Sequence, residues 1–278
     1  MEREKIIETL SLFPELNARL IELLKGLSGE EWHHATNFPT WTVKDIVAHL
    51  LDTSIRRLSL QRDGYSPGPG APVSSYGDLV RHVTDMADRW ASAFAAVSPR
   101  VLIELVDEYQ NQLAEFLKTL DPLGIAHFSV AWAGEEESYN WFDIAREYTE
   151  RWHHQMQIRD VLNREPLYDK QLYYPLLDTF MQALPYHYRD IERKDGFVFC
   201  VHIQGDSGGK WFLMRQGKSW KLLYDLREEP DAVVSIVNET AWKIFTKWID
   251  KSEMGKHGAI SGDEELGKYL LDMTCILM

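Results

Sequence analysis

The chain has 278 residues, 45% hydrophobic and 12% aromatic, so it is long enough for two domains with well-filled cores. Its formal net charge of −13 argues against a nucleic-acid partner, because phosphate recognition requires a basic surface. No segment approaches the roughly 18 apolar residues of a membrane span, and the first residues lack the apolar core of a signal peptide. We therefore expect a cytoplasmic protein without a membrane partner.

The first 165 residues are predicted to be helical, because apolar residues recur with helical spacing between breaks at Gly, Ser-Pro and Asp-Pro. Thr40 or Thr42 is the expected N-cap of the second helix. Residues 64–75 are predicted to form a Gly/Pro-rich loop, which is expected to be either a lid or simply mobile. The predicted helices cover residues 2–26, a run from the threonine cap to about residue 60, and residues 76–97, 100–120 and 141–162. We predict an all-α up-and-down four-helix bundle. It is made of the first, second and last of these helices together with either the third or the fourth.

The pattern changes after a predicted linker at residues 164–169. A helix over residues 171–188 precedes short β-rich runs separated by turn residues. Cys200 and Cys275 are expected to be buried, reduced thiols. The predicted strands cover residues 196–203, 210–215, 219–224 and 231–237, and two further helices begin at Asn238 or Thr240 and near Asp263. We therefore predict two domains, a helical bundle over residues 1–165 and a small α+β domain with an antiparallel sheet over residues 166–278.

The most informative polar residues are His49 and the pair Glu150 and His154. Residues four apart on a helix lie one turn apart on the same face, so Glu150 and His154 can bind one ion. Both lie on a face that continues as an apolar stripe, where ionisable groups are costly unless they are paired or bind a metal. His49, from another helix, completes a set of two imidazoles and one carboxylate. Three protein ligands and one open position are typical of a catalytic zinc site.

Neighbouring residues have less specific patterns. His153 points about 100° away from the histidine that follows it and is expected to be a neighbour, not a ligand. Glu147, one turn before Glu150, is a candidate for orienting a ligand or accepting a proton. Arg56, two turns beyond the first histidine, is a candidate for binding a substrate carboxylate. For Glu147 and Arg56, an ordinary role on a solvated helix face competes with the catalytic one.

On these residues the chain resembles the mycothiol-dependent maleylpyruvate isomerase family, a branch of the DinB-like four-helix metalloproteins. Residues 41–50, Trp-Thr-Val-Lys-Asp-Ile-Val-Ala-His-Leu, look like the segment that carries the family's first metal ligand. Residues 150–162 are similar to its signature Glu-x-x-x-His-x-x-Asp-Leu/Ile-Arg-Asp-Ala-Leu. By that match the family's zinc ligands fall on His49, Glu150 and His154. Gln157 stands where the family usually has Asp, which removes a charge beside the site and makes the family's substrate less certain here.

The C-terminal half resembles the family's sterol-carrier-protein-like domain. The likeness rests on Pro-Asp-Ala-Val-Val-Ser-Ile at residues 230–236 and Gly-Ala-Ile-Ser-Gly-Asp-Glu-Glu-Leu at residues 258–266. The resemblance therefore spans nearly the whole chain, although its motifs are short. The family also uses an arginine of this domain near the site, for which Arg215 and Arg227 are both candidates.

The resemblance implies an enzyme with a divalent metal, expected to be zinc, and a low-molecular-weight thiol such as mycothiol or an analogue as co-substrate. A thiol bound to zinc loses its proton at neutral pH. The thiolate can add to an activated double bond, allow rotation about the new single bond, and leave, which gives isomerisation. Displacement of a leaving group from a small electrophilic substrate gives an S-transferase instead. The sequence carries no signal for an oligomeric state.

Two other classes of function compete with this interpretation. One is a metal-dependent hydrolase in which the open position of the metal holds water. The other is a non-enzymatic small-molecule binding protein, in which the sterol-carrier-like domain contributes an apolar cavity lined by some of the ten tryptophans. Basic groups beside the metal favour the thiol-dependent enzyme, and a closed apolar cavity away from any metal favours the binding protein.

Overall fold

The structure is a computed structural model that describes residues 5–38, 40–65, 68, 74–250, 252 and 254–276. Its contacts divide the chain into two compact units. The helical unit comprises residues Glu8–His127 and Glu150–Pro166, and the sheet unit comprises residues 5–7, Phe128–Thr149 and Leu167–Ile276. The sheet unit thus includes residues from both predicted domains. The domain boundary between residues 165 and 166 therefore stays a prediction.

Five α-helices occupy the N-terminal part of the described chain, and the last of them contributes residues to both units. They are α1 (Phe13–Lys25), α2 (Val43–Arg57), α3 (Tyr76–Phe94), α4 (Pro99–Leu117) and α5 (Asn140–Val161). Within the helical unit, α2 packs against α3 and α4, and α1 packs against α4. The predicted helical bundle is confirmed. The predicted lid over residues 64–75 lies mostly outside the described residues.

The helix ends follow from local sequence chemistry. Thr42 caps α2 through a capping box, in which its backbone N–H donates to the Asp45 carboxylate over 2.8 Å. Ser75 and Ser98 cap α3 and α4 by accepting hydrogen bonds from backbone N–H groups. The prediction that the first helix begins at residue 2 is wrong for the described residues 5–9. The α-helix begins at Phe13, followed by Pro14 in the first turn, where proline is best tolerated.

A hydrophobic cluster among the described residues of the helical unit packs α2 against α5. Buried side chains of α1, α2 and α4 meet Ile158 of α5, whose side chain is fully buried. On α2 the buried apolar positions recur every three to four residues, as a helix facing a core requires. The main members of this cluster are Leu20, Ile21, Leu24, Val43, Ile46, Val47, Leu50, Leu51, Leu102 and Val106.

The sheet unit contains a five-stranded sheet in the order β3-β2-β1-β4-β5. Its strands are β1 (Val198–Ile203), β2 (Gly209–Gln216), β3 (Ser219–Leu223), β4 (Ala232–Ile236) and β5 (Gly258–Ser261). Its further described helices are α6 (Lys170–Met181), α7 (Leu184–His187), α8 (Asn238–Phe245), α9 (Met254–His257) and α10 (Glu264–Tyr269). The α+β class predicted for the C-terminal part is thus confirmed.

The sheet is mixed, which corrects the prediction of an antiparallel sheet. Strand β1 pairs with β4 in parallel, with Val201 opposite Val234, whereas the other three pairs are antiparallel. The hairpin of β2 and β3 occupies one edge of β1, so the chain crosses to the other edge before it forms β4. Strand β5 was not predicted, because its residues Gly-Ala-Ile-Ser are too short a run to stand out.

Smaller predictions for the C-terminal half have mixed outcomes. Cys200 and Cys275 are buried free thiols, as expected, and burial raises the pKa of Cys200 to about 11. Asp263 caps α10 by accepting a hydrogen bond from the Leu266 N–H. The N-cap of α8 is Val237 rather than the predicted Asn238 or Thr240. Within the described residues, no helix combines the length and apolar character needed to cross a membrane.

Candidate functional site

Glu150, His153 and His154 form a cluster on α5. The Glu150 Oε2 atom lies 3.6 Å from His154 Nε2 and 3.9 Å from His153 Nε2. One potential ligand atom from each residue lies within 4.8 Å of the other two. The imidazoles are buried, with His153 1% and His154 6% exposed, and the Glu150 side chain is 21% exposed. The cluster combines burial with partial access through its carboxylate.

His153, which was expected to be a neighbour and not a ligand, lies in the cluster itself, and its exclusion from the ligand set stays a prediction. Seen down a helix, residues three and four positions ahead of a given residue lie about 60° to one side and about 40° to the other. Glu150 therefore faces both His153 and His154, and the two imidazole rings lie with centroids 4.1 Å apart. The spacing from Glu150 to His153 was the signal in the sequence that could have identified this residue.

His49 reaches the same region from α2. Its ring lies edge-on to the His154 ring with 4.8 Å between the centroids, and the residue is 9% exposed. The structure thus brings two elements of the predicted ligand set side by side across the bundle. Among the described residues, the group of mutually close ligand atoms comprises Glu150, His153 and His154, without His49. The assignment of His49, Glu150 and His154 as metal ligands therefore stays a prediction.

Gln157 contacts the other side of the His154 ring. Its Oε1 atom lies 2.8 Å from His154 Nδ1, and the glutamine side chain is completely buried. With its Nδ1 bonded to an acceptor, an imidazole presents Nε2 as the atom available to a metal. This is the position at which the sequence departs from the family signature, and the glutamine lies in contact with a predicted ligand.

Trp41 forms an aromatic border on the α2 side of the cluster. Its ring lies 5.2 Å from the His49 ring and 5.7 Å from the Phe38 ring, measured between centroids. The indole N–H of Trp41 donates a hydrogen bond to Asp88 on α3 over 2.9 Å. Trp41 belongs to the motif on which the resemblance rests, but its contact with Asp88 could not be predicted from local sequence.

Arg56 is bound to a carboxylate of its own helix. Its Nε donates to Asp52 Oδ1 over 2.6 Å, and its Nη2 contacts the second carboxylate oxygen. Asp52 is 1% exposed. Burial raises the pKa of the Asp52 carboxyl above its usual 3.8, although the Arg56 guanidinium opposes the shift. Substrate binding by Arg56 stays a prediction. It requires the guanidinium to bind a substrate carboxylate in addition to Asp52 or in its place.

Glu147 lies on α5 in the sheet unit and is also engaged. It is 4% exposed, and its Oε2 lies 3.7 Å from Arg146 Nη2. Arg146 also binds the buried Asp143 carboxylate over 2.7 Å. Glu147 is therefore a buried member of an ion-pair network, which excludes the solvated helix-face role. Its predicted part in catalysis stays a prediction.

The two candidate arginines of the sheet unit differ in burial. Arg215 on β2 is 6% exposed, with its guanidinium 5.5 Å from the Trp220 ring centre, whereas Arg227 is exposed. Neither is assigned to the site. The sheet unit also contains a cavity of about 840 Å³ bordered by Ile260, Leu266 and several charged side chains. The described residues that line it include no tryptophan, unlike the cavity expected of a binding protein.

The fold and the cluster together define a helical bundle with imidazole and carboxylate side chains on its inner faces, followed by an α+β unit. Residues 13–159 match the family model described as "Mycothiol maleylpyruvate isomerase N-terminal domain". Because this match covers more than half of the chain, the protein belongs to that family. The predicted family is therefore confirmed.

Solved structures show the same fold. The crystal structure of the mycothiol-dependent maleylpyruvate isomerase has 11% sequence identity and a TM-score of 0.57, with 93% of each chain covered. A histidine-to-alanine variant of that enzyme has 10% identity, the same TM-score and the same coverage. At such identities the likeness establishes the fold alone. A comparison with curated proteins found no match.

Proposed function

We propose that this protein is a divalent-metal enzyme that uses a low-molecular-weight thiol, mycothiol or an analogue, to isomerise a small electrophilic substrate. The observation that carries the proposal is the cluster of Glu150, His153 and His154 beside His49, within the residues that match the family model. The related solved enzyme is described as a mycothiol-dependent maleylpyruvate isomerase. An S-transferase that uses the same thiol is the alternative of the same chemical class.

The residues of the cluster fit a zinc ion. Two ligands that each lie about 2.1 Å from a tetrahedral ion are about 3.4 Å apart. The separations of 3.6 and 3.9 Å between Glu150 Oε2 and the two imidazole nitrogens are close to that value, and they exceed an ordinary hydrogen bond. Imidazole nitrogen and carboxylate oxygen are donors that zinc accepts. We assign His49, Glu150 and His154 as the ligands, with His153 as an adjacent donor.

The side chains of the chain have separable tasks in this proposal. His49, Glu150 and His154 hold the ion, and Gln157 orients the His154 ring by its hydrogen bond. Trp41 borders the site and limits the access of water. When bound, the metal supplies a Lewis acid that favours the deprotonated form of a thiol. A site that favours thiolate over thiol is what a thiol-dependent isomerase requires.

The isomerisation itself is the chemistry of the thiol co-substrate. The thiolate sulfur adds to an activated carbon–carbon double bond, and the electron pair of that bond moves into the activating group. The bond that remains is single, so it rotates. The electron pair then returns, the double bond forms again in the other geometry, and the same thiolate leaves. The thiol is therefore regenerated and no oxidant or reductant is consumed.

Metal analysis followed by assays with a panel of thiols and electrophiles tests the proposal. We expect about one zinc or similar divalent ion per chain and turnover that requires both the ion and a thiol. Glu150→Gln is expected to lose metal and turnover together, whereas the matched control Asp52→Asn, an acid paired four residues along α2, keeps the metal. Stable thioether products identify an S-transferase. Turnover with metal and no thiol identifies a hydrolase and contradicts the proposal.

A further inference from the structure

The hydrogen bond between Gln157 and His154 involves two buried side chains of the same helix. The contact joins Gln157 Oε1 to His154 Nδ1 over 2.8 Å, and Gln157 is 0% exposed. The amide nitrogen of Gln157 is also buried and has no hydrogen-bond partner among the described residues. The hydrogen bond to His154 is therefore the polar contact that accounts for a glutamine at this position.

We propose that Gln157 is a positioning residue that fixes His154 in the tautomer with its proton on Nδ1. A neutral imidazole carries one N–H, and an amide oxygen can only accept a hydrogen bond. With the proton on Nδ1, the lone pair of His154 lies on Nε2, the nitrogen that is 3.6 Å from Glu150 Oε2. The tautomer is a property of the metal-free protein. Its use in binding a metal rests on the proposed function.

If the Gln157 side-chain amide is turned so that its nitrogen faces His154, the opposite tautomer of His154 is expected. The amide N–H of Gln157 would then donate to Nδ1, and the imidazole proton would move to Nε2, toward Glu150. That arrangement blocks Nε2 as a ligand atom. Glutamate distinguishes the two, because a carboxylate at residue 157 can accept a hydrogen bond but cannot donate one. Gln157→Glu therefore keeps the tautomer if the amide oxygen faces His154, and reverses it if the amide nitrogen does.

Nitrogen-15 NMR of the histidine rings in metal-free protein measures the tautomer directly. Spectra are recorded over a pH series that extends well above the ordinary histidine pKa of about 6.5, and the tautomer is read where the ring signals no longer change with pH. The His154 signals are identified among those of the ten histidines by their loss in His154→Asn. We expect Nδ1–H in the native protein and in Gln157→Glu, and a mixture of tautomers in Gln157→Leu. A native Nε2–H tautomer, or its appearance in Gln157→Glu, overturns the inference.

Gln155 offers a matched control on the same helix. It is 1% exposed, and its amide donates to the Leu16 carbonyl over 3.0 Å, away from the histidines. Its Oε1 also accepts hydrogen bonds from Arg159, so Gln155→Leu loses at least as many hydrogen bonds as Gln157→Leu but keeps the His154 tautomer. A change of tautomer in this control attributes the effect to general loosening of the helix and overturns the inference. If Gln157→Leu does not fold, the comparison of the native protein with Gln157→Glu decides.

Zinc titration separates this inference from the proposed function. Gln157→Leu is expected to bind zinc about 10- to 100-fold more weakly than the native protein, the usual effect of losing a group that orients a ligand. The affinity of Gln155→Leu remains native. Unchanged affinity in Gln157→Leu overturns the positioning role. If the native protein itself binds no zinc while its tautomer is Nδ1–H, the proposed function fails and the assignment of the tautomer stands.

Discussion

Two clusters of ionisable side chains in the helical unit have the same spacing along their helices but differ in how closely their charged groups pair. On α2, the Asp52 carboxylate and the Arg56 guanidinium, four residues apart, meet at hydrogen-bond distance. On α5, Glu150 and His154 are also four residues apart, but Glu150 Oε2 lies 3.6 Å from His154 Nε2 and 3.9 Å from His153 Nε2. The first cluster pairs a carboxylate with a guanidinium, whereas the second places a carboxylate beside two imidazoles, the set that we propose to hold a cation.

This difference shows why spacing alone does not identify a site. A guanidinium carries its own charge and five donors, so it fills the acceptor sites of a carboxylate without help. Neutral imidazoles bring lone pairs that a carboxylate does not attract. Burying them beside a carboxylate is favourable when a proton or a metal ion lies between the groups. The comparison therefore predicts that changes to Glu150 and His154 alter metal binding, whereas changes to Asp52 and Arg56 alter stability.

The largest expected effect is the loss of metal on changing α5. We expect Glu150→Gln and His154→Ala to weaken zinc binding by more than about 100-fold, because removal of a ligand exceeds the 10- to 100-fold cost of removing a residue that orients one. Titration against a chromophoric chelator measures the affinity. Asp52→Asn, the control on α2, is expected to bind zinc as the native protein does. Equal affinities in all four proteins would show that the α5 cluster is not the site.

The next effect is the stability of the metal-free protein. Asp52→Ala removes two charge-assisted hydrogen bonds from a buried carboxylate, and we expect it to lower the free energy of unfolding by about 1–3 kcal/mol. Glu150→Gln keeps the shape of the side chain, so we expect it to change the free energy of unfolding less than Asp52→Ala does. Urea unfolding in the presence of a chelator measures both. A larger loss of stability in Glu150→Gln than in Asp52→Ala would contradict this comparison.

A smaller effect is the pH dependence that Asp52 causes. Burial raises the pKa of this carboxyl above 3.8 in the folded protein, and Arg56 offsets part of the shift. Between the unfolded and folded pKa values the folded protein binds more protons, so its stability falls as the pH rises through that interval. We expect the stability of the native protein relative to Asp52→Asn to decrease from about pH 3.8 upward, measured by urea unfolding of metal-free samples. A relative stability that increases with pH would contradict the assigned direction.

Much of the helical architecture could be predicted from the sequence because its signals are local. The cap at Thr42, the serine caps of α3 and α4, and the helical placement of His49, Glu150 and His154 depend on residues within one or two turns. The start of the first α-helix was misjudged because the described apolar residues before Phe13 continue the helical period, but they form only one 3-10 turn over Leu10–Leu12.

The remaining features depend on contacts between distant parts of the chain. The parallel pairing of β1 with β4 joins segments about thirty residues apart and is set by which edge of β1 the hairpin leaves open. The ion pair of Arg56 with Asp52 could have been predicted from the sequence, because a spacing of four residues on a helix favours it. The contact of Trp41 with Asp88 was not, because it joins α3 to the segment before α2.

Anomalous diffraction at the zinc absorption edge, from crystals soaked in zinc, tests the central claim most directly. The account predicts one strong peak about 2.0–2.2 Å from a carboxylate oxygen of Glu150 and from Nε2 of His154. The same map tests the assignment of His49, rather than His153, as the third ligand. A protein that takes up zinc with its peak elsewhere, or with no peak beside Glu150, would contradict the assignment of this cluster as the metal centre.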